Sequence, residues 1–177
     1  MTLVTGLLPD DFDQVAGRVS ALIQARSLTD SPIKIIIVEG EDGAGKTFFA
    51  AKLAQFVGAK HVELDGHLRQ RAYEREPFLD LVNMAAFSAA IQAASPVVAD
   101  GVLISDVLDK AEIANNLRIY VRRISSTGLW NYGLNLVRGR LVEVPWAAPS
   151  MLEEEIFEYH LRRLPHACAN LCFNRVG

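Results

Sequence analysis

The chain is short of cysteine, of excess basic charge and of long apolar runs, and each shortage excludes something. Its 177 residues include two cysteines. Cys168 and Cys172 stand four apart with no Cys/His set at zinc spacing beside them, so they read as core thiols rather than a disulfide or metal pair. No apolar run reaches the ~18 residues of a membrane span, and the N-terminus lacks a basic segment followed by an apolar one, so a cytoplasmic protein without membrane contact is expected. A formal net charge of −3 argues against a general nucleic-acid surface. Internal repeats and low-complexity segments are missing as well. Apolar residues are plentiful at 50%, enough for one domain over residues 1–177, with 1–32 as an N-terminal helical extension packed on the core.

The most specific stretch is IIIVEGEDGAGKTFFAAKLA, residues 35–54. Gly40, Gly45, Lys46 and Thr47 fit G-x-x-x-x-G-K-[ST], a phosphate-binding loop. The β-branched run before it reads as a strand buried on both faces. Behind it, Phe48, Phe49, Leu53, Phe56 and Val57 have helical spacing, and Gly58 is a natural stop. Glycines let successive N–H groups curl around an anion, and the helix N-terminus adds partial positive charge. Gly40, Glu41, Asp42, Gly43, Ala44, Gly45, Lys46, Thr47 and Phe48 are therefore the expected nucleotide-binding residues. Two carboxylates would repel phosphate, so Glu41 and Asp42 must point to solvent or be neutralised by a base.

Five apolar strand patterns alternate with helical ones, which predicts a three-layer α/β fold: a mainly parallel five-stranded sheet with helices on both faces. The predicted elements include an amphipathic helix over 10–26, a helix from Pro77 to about Ala94, a helix over 150–163 and a last strand, ANLCF. Asp65 and Asp100 each end a strand, so the fold brings both to the edge that carries the loop. One carboxylate can then place Mg²⁺ together with Thr47 while the other takes the proton of an attacking hydroxyl. Both are also Asp-Gly pairs, a good turn in any fold.

Charge on a transferring phosphoryl group calls for cations. Arg122 and Arg123 follow the strand LRIYV and can reach the same edge, and Arg138 and Arg140 flank Gly139 in a loop that can close over the nucleotide. On the acceptor side the candidates are Asp65, His67, Arg69 and Tyr73, with Glu74, Glu76 and Asp80 nearby. The absence of a guanine-reading N-K-x-D stretch favours adenine.

Taken in order, GEDGAGKT, VELDGHL, EREPFLD, PVVADGVLI, RIYVRR and EYHLRRLPHACANLCF resemble the uridine kinase-like group of P-loop kinases over roughly residues 33–175. The resemblance implies the P-loop NTPase fold with an adenylate-kinase-like sheet, ATP with Mg²⁺ as donor, and a small hydroxyl compound as acceptor. By position it implies Asp65 as catalytic base and Asp100 at the metal. Where uridine kinases carry an Arg-rich lid, this chain reads RRISSTGLWNYGLNLVRGR, so uridine itself is not the expected acceptor. The spacing of Asp65 and Arg69 also resembles zeta-toxin and antibiotic phosphotransferase enzymes, which changes the acceptor and not the reaction.

The expected activity is thus ATP- and Mg²⁺-dependent phosphoryl transfer to a small-molecule hydroxyl. Lys46, Asp65, Arg122 and Arg123 are the catalytic candidates, Thr47 and Asp100 the metal ligands. A homodimer is compatible with the sequence. The rival is a nucleotide-binding switch or assembly protein that uses the same loop without turnover.

Overall fold

The computed structural model describes residues 6–29, 32–69, 76–114, 117–139 and 149–177. Tyr73, Glu74 and Arg140, named above as candidates, lie outside them. In chain order the elements are α1 (Phe12–Ser27), β1 (Ile35–Glu39), α2 (Lys46–Val57), β2 (Lys60–Glu63) and a 3-10 turn (Leu64–His67). There follow α3 (Phe78–Leu81), α4 (Met84–Gln92), β3 (Val97–Asp100), α5 (Ile104–Lys110) and β4 (Leu117–Ile124). The last are α6 (Asn131–Arg138), α7 (Met151–Arg163), α8 (Pro165–Cys168) and β5 (Leu171–Val176).

The strands form one sheet in the order β2-β3-β1-β4-β5, and every neighbouring pair is parallel. Its central strand β1 is IIIVE, and the three residues Ile36, Ile37 and Val38 are fully buried. Side chains of a strand alternate between faces, so Ile36 and Val38 join one core and Ile37 the other. Against the first face pack α1, through Val15, Ala16 and Val19, and α2, through Phe49, Ala50, Leu53 and Ala54. Residues of α3, α4, α5 and α7 cover the second, among them Phe78, Phe87, Ile104, Leu108 and Tyr159. This is the expected three-layer arrangement, and it carries the ends of β1, β3 and β4 to one edge.

Three local expectations need correction. The apolar run after Pro77 is two helices and not one. Leu68 and Val82 pair as an antiparallel bridge, Arg69 N–H donates to Leu81 O, and Asn83 N–H donates to His67 O. That pairing requires an extended backbone at Val82, and Asn83 then caps α4 by accepting from Ala86 N–H. Second, Cys168 is exposed on α8 and Cys172 half-buried on β5; both are free, and only the latter is near the core. Third, β5 runs on to Val176 rather than ending at Phe173, because Asn174, Arg175 and Val176 continue the ladder opposite Arg122, Arg123 and Ile124.

Candidate functional site

The loop after β1 closes on itself before α2 starts. Ala44 N–H donates to Glu41 O, and Gly45, at φ 87°, is the left-handed N-cap of α2. No side chain caps this helix. The first intrahelical bond runs from Phe49 N–H to Gly45 O, so the amides of Gly45, Lys46, Thr47 and Phe48 have no partner within the helix. Convergent amides at an uncapped N-terminus are what an anion requires. Phe48 contributes through its backbone, since its ring is exposed. Gly40 is needed for a different reason: a Cβ there would collide with the carbonyl oxygen of Val121 on β4. Gly40→Ala is therefore expected to destabilise the chain by about 1–3 kcal/mol, as overpacking does; urea unfolding would measure it.

Lys46 is buried, and its Nζ donates to Glu41 O at 2.8 Å. One of three ammonium protons is thereby engaged, leaving two for phosphate oxygens. Burial lowers its pKa, while Asp42, Glu41, Asp100 and Asp65 act to raise it.

Opposite the loop, Asp100 is almost fully buried at the end of β3 and uses both oxygens. Thr47 Oγ1 donates to Oδ2 at 2.7 Å, and His61 Nε2 meets Oδ1 at 2.6 Å. Asp65, on the 3-10 turn after β2, has its carboxyl raised by loss of solvent, lowered by Lys46, and raised again by Asp100 and Asp42. These groups share a cleft of about 410 Å³. Asp42, Gly43, Gly45, Lys46 and Thr47 form its loop side, Asp65, Asp100 and Gly101 the opposite side, and Phe78, Val102 and Leu152 an apolar wall.

A divalent cation fits this chemistry in one form. Among the described residues no three His, Cys, Asp or Glu side chains are grouped to hold a metal alone. Mg²⁺ usually keeps several waters and takes one or two protein oxygens together with substrate phosphates. The Thr47 hydroxyl and the Asp100 carboxylate are such a pair.

Glu41 does not face solvent. Its side chain turns inward, only 6% exposed, between β4 and α6. Oε1 accepts from Arg123 N–H at 3.0 Å and from Trp130 Nε1 at 3.2 Å, and the Tyr120 hydroxyl lies 3.2 Å from Oε2. The same hydroxyl is 2.8 Å from His160 Nε2, while His160 Nδ1 is 2.7 Å from Ile156 O. Burial lowers the His160 pKa to about 4, so the ring is neutral and Nδ1–H donates to Ile156 O, leaving Nε2 as acceptor. Tyr120 then has one proton for two acceptors. Burial favours the protonated form of Glu41, while the hydrogen bonds from Arg123, Trp130 and Tyr120 favour the carboxylate and oppose it. The Glu41 side chain thus anchors the loop from behind and does not line the cleft.

The linkage has a definite sign. The folded state holds the Glu41 proton more tightly than the ordinary value of 4.5 allows. Its contribution to stability is full below that value and is lost as pH rises through the raised one. In Glu41→Gln the amide oxygen can accept from Trp130 and Arg123 while the amide nitrogen donates to Tyr120. Thermal melts should place this variant at or above the parent near pH 8, with any gap closing toward about pH 5.

The remaining candidates divide between the cleft and other places. Arg123 Nη1 lies 3.8 Å from where a Cβ on Gly43 would sit, at the loop. Arg122 goes elsewhere: it lies over the Trp130 ring at 4.9 Å and donates to His166 O at 3.4 Å, because alternation along β4 puts it on the Tyr120 side of the sheet. His67 packs edge-on against Phe87, Arg69 is exposed beside the Leu68–Val82 bridge, and Arg138 is exposed in the last turn of α6. None of these four side chains lines the cleft. Sequence reasoning passed over His61, Tyr120, Trp130 and Arg175. A polar residue within strand KHVE was the one local hint of His61. Nothing local marks Arg175, whose guanidinium rests on Gly45 so closely that a Cβ there would strike Nη1.

No family model matches the chain, and no curated protein matches it. Among solved structures it is similar to a possible uridine kinase from Bacillus stearothermophilus, at 12% identity and TM-score 0.50, covering 90% of this chain and 99% of that one. It is also similar to shikimate kinase from Acinetobacter baumannii in complex with shikimate, at 15% identity and TM-score 0.48, covering 86% and 87%. Likeness at such identity concerns the fold: the chain shares its three-layer α/β architecture with the possible uridine kinase.

Proposed function

We propose that this protein is a Mg²⁺- and ATP-dependent phosphotransferase acting on a hydroxyl of a small molecule. The observation that carries the reading is the meeting of Lys46, Thr47, Asp65 and Asp100 around one cleft at the phosphate loop. A second cavity of about 310 Å³, lined by Glu41, Arg123, Ser125, Asn131 and Tyr132, lies toward β4 and α6. Since β1 stands between β3 and β4, the two spaces flank the loop. A transferase needs room for donor and acceptor on either side of the reacting phosphoryl group, whereas a switch needs room for one ligand.

In this reading the loop amides and Lys46 hold the phosphates, and Thr47 and Asp100 hold the metal. Mg²⁺, when bound, neutralises charge on the phosphate oxygens. Asp65 orients the acceptor hydroxyl and takes its proton as the oxygen attacks. Phe78, Val102 and Leu152 exclude water and offer an apolar surface to the acceptor's carbon skeleton.

The test is ATP-dependent ADP release with pooled nucleosides, sugars, vitamins and aminoglycosides. Release that requires one pool supports the reading and leads to the acceptor by subdivision. Tight ATP binding without release from any pool would favour the switch, for which one feature speaks: the buried Glu41, Tyr120 and His160 chain ties the loop to α7. A membrane-spanning role has no support, since among the described residues no helix is long and apolar enough to cross a bilayer.

A further inference from the structure

Two guanidinium groups stand beside the loop. Arg123 on β4 and Arg175 on β5 are register partners, both on exposed positions at the carboxyl edge. Arg123 Nη1 approaches Gly43, and Arg175 lies in contact with Gly45. Among the described residues neither side chain is in an ion pair.

Gly45 is the N-cap of the 12-residue α2, and a helix N-terminus carries partial positive charge that favours anions. Two other helices place acids there, Asp13 in the first turn of α1 and Glu153 and Glu154 in that of α7. The first turn of α2 has no acidic residue, and two arginines are added to it. Such an arrangement becomes favourable once a multivalent anion lies among the loop amides and the guanidinium forks.

We infer that Arg175, with Arg123, contacts the polyphosphate tail of the nucleotide, supplying cationic charge from two strand ends. This deepens the proposed function and rests on its phosphate-loop reading. Arg175 is in this sense a binding residue of the donor site. Its reach depends on β5 running past Phe173, which sets its Cα beside that of Arg123.

The experiment is titration of ATP and of inorganic tripolyphosphate into the parent chain, Arg175→Ala, Arg175→Lys and Lys46→Ala, with thermal melts to confirm folding. Arg175→Ala should lose about tenfold in affinity for both probes, the scale of a charge-assisted contact, with Arg175→Lys in between. Unchanged affinity for both would overturn the inference and leave Arg175 a solvated strand-end residue. Loss for ATP alone would overturn it too, placing the guanidinium on the nucleoside. Should the parent chain bind neither probe, or Lys46→Ala bind both normally, the phosphate-loop reading falls and this inference with it.

Discussion

Lys46→Ala is expected to weaken ATP binding by about 10- to 100-fold, the range for removing a hydrogen bond to a charged group. The fold should survive, because among the described residues the one hydrogen-bond partner of the Lys46 ammonium is the carbonyl of Glu41. That carbonyl also accepts from Ala44 N–H, so it keeps a partner in the variant. Removing a buried cation leaves Asp65 without the counter-charge that lowers its pKa, which should raise its affinity for protons. Calorimetric titration with ATP, alongside thermal melts, reads both effects. A variant that binds ATP like the parent would remove the phosphate loop from the account and with it the proposed reaction.

The second large effect is on turnover. Asp65→Asn should bind ATP nearly as the parent does and lower kcat by about 10²-fold or more, since a general base acts only when an acceptor hydroxyl is in place. Asparagine keeps the size and removes the basicity. Partial loss of solvent, with Asp100 and Asp42, raises the Asp65 pKa from its ordinary value while Lys46 opposes. A base works deprotonated, so activity should fall as pH drops through that raised value, giving an acid limb in kcat/KM that the variant loses. Normal turnover by Asp65→Asn would rule out the base and leave its carboxylate a turn residue.

Much of this architecture was legible from local pattern. The β-branched run at 33–38, the glycines and the helical spacing after Thr47 fix a strand, a loop and a helix through near-neighbour sterics alone. Parallel strands need crossovers, and strand ends in such sheets gather at one edge, so Asp65 and Asp100 could be placed near Lys46 without coordinates. Contacts made across the sheet were not legible. Two adjacent arginines, Arg122 and Arg123, look equivalent in sequence, yet alternation along β4 and the position of Trp130 send one away from the loop and leave the other beside it. Glu41 looks like a solvent-facing loop acid, and only the packing of Tyr120, Trp130 and His160 creates a polar niche behind the loop that draws it inward.

By itself, then, the sequence determined the phosphate loop, its strand and helix, and the class of sheet that presents it. These rest on backbone conformations and periodicities that extend over a few residues. The tertiary structure alone decided that Asp100 is held by His61 and Thr47, that Glu41 is an internal anchor, and that Arg175 reaches Gly45 from the far end of the chain. The first and last depend on the registers of β2 on β3 and of β5 on β4, and the second on how Tyr120, Trp130 and His160 pack behind the loop.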